Sequence, residues 1–165
     1  MARNTSGRIV AGKSRKRLQA MSEAFKNRRL KKYYLCIVKG KITEGSRISG
    51  YLRKDERTNK VTVETTEKDG CLPIETEYLP LDTNGDSTLL LVDLITGRSH
   101  QIRAHLASIG HPIAGDTKYG DPKLNQVWRG KYHVSSQLLH AWKLVFPQKE
   151  APFSRLSGKS FEAPL

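Results

Sequence analysis

Residues 88–110 read TLLLVDLITGRSHQIRAHLASIG. The first eight are apolar and β-branched enough to predict a strand ending at Ile95, after which Gly97 lets the chain bend. Ser99 then stands where a helix N-cap belongs, Ile102, Leu106 and Ile109 recur as an apolar stripe, and Gly110 followed by Pro112 stops the run. A strand is thus predicted to deliver the chain into a helix through a turn crowded with cations and no acid. Arg103 leaves that helix about 100° from Ile102 and near its positive end. A guanidinium and a helix N-terminus aimed at one place make an anion site.

Working outward, Ser14 reads as an N-cap and Leu18, Met21, Ala24 and Phe25 recur at helical spacing, which predicts an amphipathic helix over 15–29. The run LKKYYLCIV over 30–38 is apolar on both alternating faces, as expected of a strand inside a sheet, and Gly40 ends it. Further strands are predicted over 60–66, 74–79, 88–95 and 138–146. Lys68-Asp69-Gly70 and Asn84-Gly85-Asp86 read as tight turns. Short strands joined by turns, with two or three helices among them, predict an α+β fold built on a mixed or antiparallel sheet, a single domain over 1–165.

Charge is distributed unevenly. Lys and Arg number 29 against 16 Asp and Glu, a net +13, and residues 1–41 alone carry +12 of it. Such an asymmetry is the footprint of a polyanion contact, although a solvated basic helix face produces the same count. No apolar run approaches the roughly 20 residues of a membrane helix, and the basic start lacks the apolar core of a secretory signal, so a cytoplasmic protein with no membrane partner is expected. The two cysteines, Cys36 and Cys71, form no CxxC pair and are expected to be buried thiols.

Four readings compete for the cluster TGRSHQIRAH over 96–105. His100 and His105 are five apart, about 140° around a helix, and do not share a face as zinc ligands at i and i+4 do. A two-histidine phosphodiesterase needs its imidazoles opposed across a phosphate, which this spacing does not supply. A helix cap with surface charge is the structural reading. In the fourth, Arg103 pairs with a buried carboxylate, because a buried ion without a partner costs several kcal/mol.

The longer stretch TGRSHQIRAHLASIGHPIAGDTKYG, 96–120, resembles the signature of the RluA-like family of RNA pseudouridine synthases. RRLKKYYLCIVKG (28–40) is similar to that family's tyrosine-bearing strand and LLHAWKLVFP (138–147) to its third block. RNTSG (3–7) resembles the tail of its nucleophile motif, R-L-D-R-x-T-S-G. Four blocks in order over almost the whole chain imply the pseudouridine synthase catalytic-domain fold and the isomerisation of uridine to pseudouridine in ribosomal or transfer RNA, without a cofactor.

The resemblance implies roles residue by residue. Tyr34 would sit against the target base, and Arg103 would hold the family's aspartate ionised and oriented; these are the expected catalytic positions. Arg3, Thr5, Arg98, His100, Gln101 and Leu139 are the expected substrate and RNA contacts, and His105, His111 and His140 are expected to be structural. In the family an aspartate precedes the position matched by Arg3, whereas here Ala2 stands there. The upstream part of the domain is therefore expected to be missing and the chain to be inactive as written. The alternative is a non-catalytic RNA-binding module that kept the fold. Without that aspartate, Arg103 is expected to turn to solvent, a bound anion or another acid. The sheet is expected to expose an edge through which chains could self-associate.

Overall fold

The computed structural model describes residues 4–11, 13–27, 29–148 and 153–165. Ala2, Arg3 and Arg28 lie outside them, and with Arg3 one of the expected RNA contacts.

The strands are β1 (Ser6–Gly7), β2 (Lys31–Lys39), β3 (Ser46–Asp55), β4 (Lys60–Glu64), β5 (Leu72–Thr83), β6 (Ser87–Asp93), β7 (Leu139–Val145) and β8 (Ser160–Glu162). The helices are α1 (Arg15–Lys26), α2 (Gln101–Ser108) and α3 (Pro122–Tyr132), with a single 3-10 turn at Ser154–Leu156. The strands form one sheet in the order β1-β7-β2-β6-β5-β3-β4, with β8 adding to β7. β1 runs parallel to β7 and the remaining pairs are antiparallel, so the sheet is mixed, as an α+β fold requires.

The hairpin between β5 and β6 turns on the Asn84 side chain, whose Oδ1 accepts the N–H groups of Asp86 and Ser87 while Gly85 takes φ 91°. β2 lies between β6 and β7, and its apolar residues on both faces are explained by that interior place. On one face Cys36 and Val38 meet Leu90, Val92, Ile102, Leu106, Ile113 and Leu139, which roots α2 on the middle of the sheet. A second cluster, Leu52, Val61, Ile74 and Ala104, carries α2 over towards β3, β4 and β5. The third joins Met21 and Ala24 of α1 to Leu30, Leu144, Phe146 and Phe153.

Several expectations need correcting. α1 ends at Lys26 with Asn27 as its C-cap, and Leu18 is 54% exposed, because the helix touches the sheet only through Met21, Ala24 and their flanks. Cys71 is only partly buried, in the turn before β5. α2 is not capped by Ser99: the N-cap position is His100, in the left-handed region at φ 54°, with no side-chain capping bond. β3 and α3 were not foreseen. β3 is broken in pattern by Gly50, where a Cβ would press on the Glu64 carbonyl at 3.2 Å and approach the imidazole of His105 at 3.7 Å. Its glycine lets α2 lie close against the sheet, at the expense of the alternating pattern that marks a strand.

At one side the sheet ends in β4, five residues long with Lys60 and Glu64 at its ends, which is how a natural edge is blunted. At the other it ends in the two-residue β1. Among the described residues no helix is long and apolar enough to cross a membrane.

Candidate functional site

A cavity of about 450 Å³ opens where the turn after β6 enters α2, walled on the other side by β2, β7 and the start of the chain. It brings together Thr5, Tyr34, Arg98, His100, Gln101, Arg103 and Leu139, every expected site residue the structure describes. Lys32 and Asn59, not singled out from the sequence, line it as well. An adjoining apolar groove of about 340 Å³ shares Lys32 and Tyr34 with it.

Arg103 is only 6% exposed and grips a carboxylate from within the same signature stretch. Its Nε donates to Asp116 Oδ2 and its Nη2 to Asp116 Oδ1, both at 2.7 Å. Of the three fates expected for Arg103, solvent, anion or another acid, it takes the last. Asp116 Oδ1 also accepts the N–H groups of Lys118 at 2.8 Å and Tyr119 at 3.0 Å. Burial works to raise the Asp116 carboxyl, but the hydrogen bonds from Arg103, Tyr119 and Lys118 outweigh it and hold it below the usual aspartate range. Nη1 of Arg103 makes no hydrogen bond with the described residues, so the guanidinium keeps a donor edge beyond the pair.

The loop that presents Asp116 is shaped by Gly115, at φ 76° and packed so closely on Ser136 that a side chain would strike its carbonyl. Asn125 of α3 pins it, accepting the Gly115 N–H and donating to the Asp116 carbonyl, each at 2.8 Å. α3 contributes no buried residue to the core; it acts on the site through this asparagine. Its start carried a legible signal, Asp121 as N-cap with Pro122 behind it, and Asp121 caps Lys123 and Leu124 as that signal implies. Asp116 was legible too, as the one acid between residues 96 and 120.

Gln101 is placed at the cavity, but its amide faces inward. The residue is 2% exposed; its Oε1 accepts from the Arg98 N–H and the Thr96 hydroxyl, and its Nε2 donates to the Glu75 carbonyl and Thr76 Oγ1. All four of its hydrogen-bonding positions are therefore spent inside the protein. In place of the expected contact with RNA, Gln101 shapes the turn that carries Arg98 and His100. Thr76 continues the network to His105, whose Nδ1 lies 3.0 Å from its hydroxyl in a buried, structural setting. Gln101→Leu should therefore lower stability by about 1–3 kcal/mol, through the polar groups it orphans, in a urea melt.

Tyr34 is half-buried on β2 at the point where the pairing with β7 slips register. Burial pushes its hydroxyl pKa up, so the phenol stays protonated at neutral pH. Leu139 is 5% exposed, part of the core and part of the cavity wall at once. The Thr5 hydroxyl oxygen is buried in the wall with no hydrogen-bond partner among the described residues. Lys32, without a carboxylate partner in the described set, lies 4.5 Å over the Phe25 ring, and burial lowers its pKa. His111 and His140 serve local structure, bonding the Lys39 carbonyl and the Ser6 hydroxyl, each at 2.8 Å. Among the described residues no group of three or more His, Cys, Asp or Glu is placed to hold a metal ion.

Comparison with known proteins points the same way. A sequence model described as RNA pseudouridylate synthase matches residues 2–108. An uncharacterized RNA pseudouridine synthase of Chloroflexus aurantiacus is 38% identical over 139 residues, 84% of this chain and 41% of that protein. The ribosomal large subunit pseudouridine synthase C of Vibrio parahaemolyticus is 33% identical over 145 residues, 87% of this chain and 44% of that protein. The chain thus spans less than half the length of these relatives. Human RNA pseudouridylate synthase domain containing 1 shares the fold, with a TM-score of 0.72 at 23% identity over 93% of this chain and 62% of that one. With more than half of its residues matched by that family's model, this chain belongs to the RNA pseudouridylate synthases, in their RluA-like branch.

Proposed function

We propose that this chain is the portion of an RluA-like catalytic domain that receives a uridine of structured RNA and orients the carboxylate that reacts with it. The observation that carries the reading is the convergence of Tyr34, Arg103, Thr5 and Leu139, drawn from four separate sequence blocks, on one cavity. A uridine within folded RNA must leave its stack to enter such a cavity, at a cost of a few kcal/mol. The basic first 41 residues offset part of that cost through phosphate contacts. The aspartate then attacks the nucleoside, uracil leaves, turns and rejoins through carbon, and the proton on that carbon departs. Nucleophilic catalysis divides one difficult displacement into easier steps.

Tyr34, protonated and partly buried, offers an aromatic face to the base and a phenol that can take part in the final proton transfer. Arg98 and His100 face the nucleotide, and Leu139 gives the apolar wall. Relatives named as ribosomal large subunit pseudouridine synthases, that of Vibrio parahaemolyticus among them, favour ribosomal over transfer RNA and a cytoplasmic setting. A further strand, from an upstream segment or from a second copy, would add along β1.

Because Ala2 offers no nucleophile, the chain as written should bind structured RNA and release no tritium from RNA labelled at the uridine 5-position. Joining to it an upstream segment that carries the family's aspartate in place of Ala2 should restore release. No release by that extended protein on any cellular RNA would leave only RNA binding, and the catalytic reading would be lost.

A further inference from the structure

We infer that Tyr119 is a positioning residue that fixes His100 as a neutral imidazole with its proton on Nε2, the donor the cavity presents to an oxygen of the bound nucleotide. The Tyr119 hydroxyl lies between Val61 of β4 and His100 at the head of α2. That oxygen accepts the backbone N–H of Val61 at 3.0 Å, a contact in which the amide can only donate. It also lies 2.9 Å from His100 Nδ1. With one lone pair given to Val61, the hydroxyl proton is directed to Nδ1, which must then be the unprotonated nitrogen. The reverse arrangement, Nδ1–H donating to Tyr119, would leave the phenolic proton without an acceptor in a half-buried setting.

The surroundings oppose a second proton on the ring. Burial does most to lower the His100 pKa, the cations Arg103, Lys118 and Lys54 act in the same direction, and Asp116 is the opposing anion. The ring is held edge-on to Tyr119, centroids 5.7 Å apart and 67° inclined, while the Arg103 guanidinium sits 5.1 Å from the centroid of the same tyrosine ring. Tyr119 therefore touches both His100 and Arg103, and Asp116, three residues earlier, clamps the second of them. His100 lies in a left-handed backbone conformation that few residues other than glycine adopt. That conformation sets its side chain at the head of α2, beside the cavity. With Nδ1 taken, Nε2 is the ring nitrogen left for a ligand. A neutral donor beside a guanidinium can bond a uracil carbonyl or a phosphate oxygen without adding a second charge to the pocket.

The identity of the ligand rests on the proposed function; the tautomer does not, and it is measured without RNA. Nitrogen-15 and proton correlation spectra of the histidine-labelled chain at pH 7 should show His100 protonated at Nε2 alone. Tyr119→Phe keeps the ring against Arg103 and removes only the hydroxyl, so it should convert His100 to a mixture of tautomers. Uridine 5′-monophosphate should then shift the Nε2–H signal of the wild-type chain. The same shift with uridine identifies a base carbonyl as acceptor, and with ribose 5-phosphate alone a phosphate oxygen. An Nδ1–H tautomer or a doubly protonated ring in the wild type overturns the inference, as does an unchanged tautomer in a folded Tyr119→Phe chain. An Nε2–H signal untouched by all three probes overturns the ligand-facing role. None of these outcomes depends on tritium release, so failure here and failure of the enzymatic reading are separately visible.

Discussion

Asp116→Ala should cost about 3–5 kcal/mol of folding stability, the largest loss expected from a single polar substitution in this chain. Asp116 is 1% exposed and Arg103, which it meets, 6%, so removal strands a buried cation without its partner. It also strands the N–H groups of Lys118 and Tyr119, both of which end on the same oxygen. For a chain of this size that loss lowers the thermal midpoint by roughly 6–20 °C. The double variant Arg103→Met with Asp116→Leu should recover much of the loss, because the cost lies in leaving one ion unpaired and not in forgoing the pair. If the single and double variants melt alike, the pair is not what holds the loop.

The same pair sets a pH dependence whose sign is determined by the direction of the shift. Asp116 is held below its ordinary value of 3.8 in the folded chain. Its contribution is present above that value and is lost as pH falls through the lower, folded one. Wild type and Asp116→Ala should thus differ most near neutrality and draw together in strong acid. Urea midpoints measured across that range read this directly.

Much of this arrangement was legible in the sequence, and the parts that were not have identifiable causes. β2, β4, β5, β6 and β7 announce themselves because each carries alternating or consecutive apolar and β-branched residues along its sequence. β3 hides because Gly50 occupies a buried position where pattern reading looks for a large side chain. β1 and β8 are too short to carry any period. α3 hides because nothing in it is buried, so it has no core-facing stripe to read; its purpose is the side chain of Asn125. At the site, the periodic and motif signals locate Arg103 and Tyr34, yet they do not say where a side chain's hydrogen bonds end. Gln101 was therefore expected at the RNA and its amide is found bonded inside, and of the three partners open to Arg103, solvent, an anion or another acid, only the fold selects Asp116. Both are consequences of burial, which a charge count along the chain does not reveal.

Arg103→Lys, made in the extended, aspartate-bearing form, should lower kcat by roughly 10²–10³ while leaving the KM for RNA within a few-fold. The guanidinium commits Nε and Nη2 to Asp116 and retains Nη1, so one rigid plane can hold its anchor on one side and orient a second carboxylate on the other. An ammonium is a point charge on a flexible stem and cannot keep both geometries at once. It preserves the charge, so RNA attraction and most of the electrostatic stability survive, and the melt should fall well short of the loss in Asp116→Ala. What disappears is the alignment of the nucleophile, which matters only when the carboxylate meets the nucleoside, and the effect is accordingly placed on kcat. A Lys variant with unchanged kcat would mean that Asp116 is the sole partner Arg103 serves. The residue would then be a strut of the cavity wall, and the orientation of the nucleophile would have to come from elsewhere in the pocket.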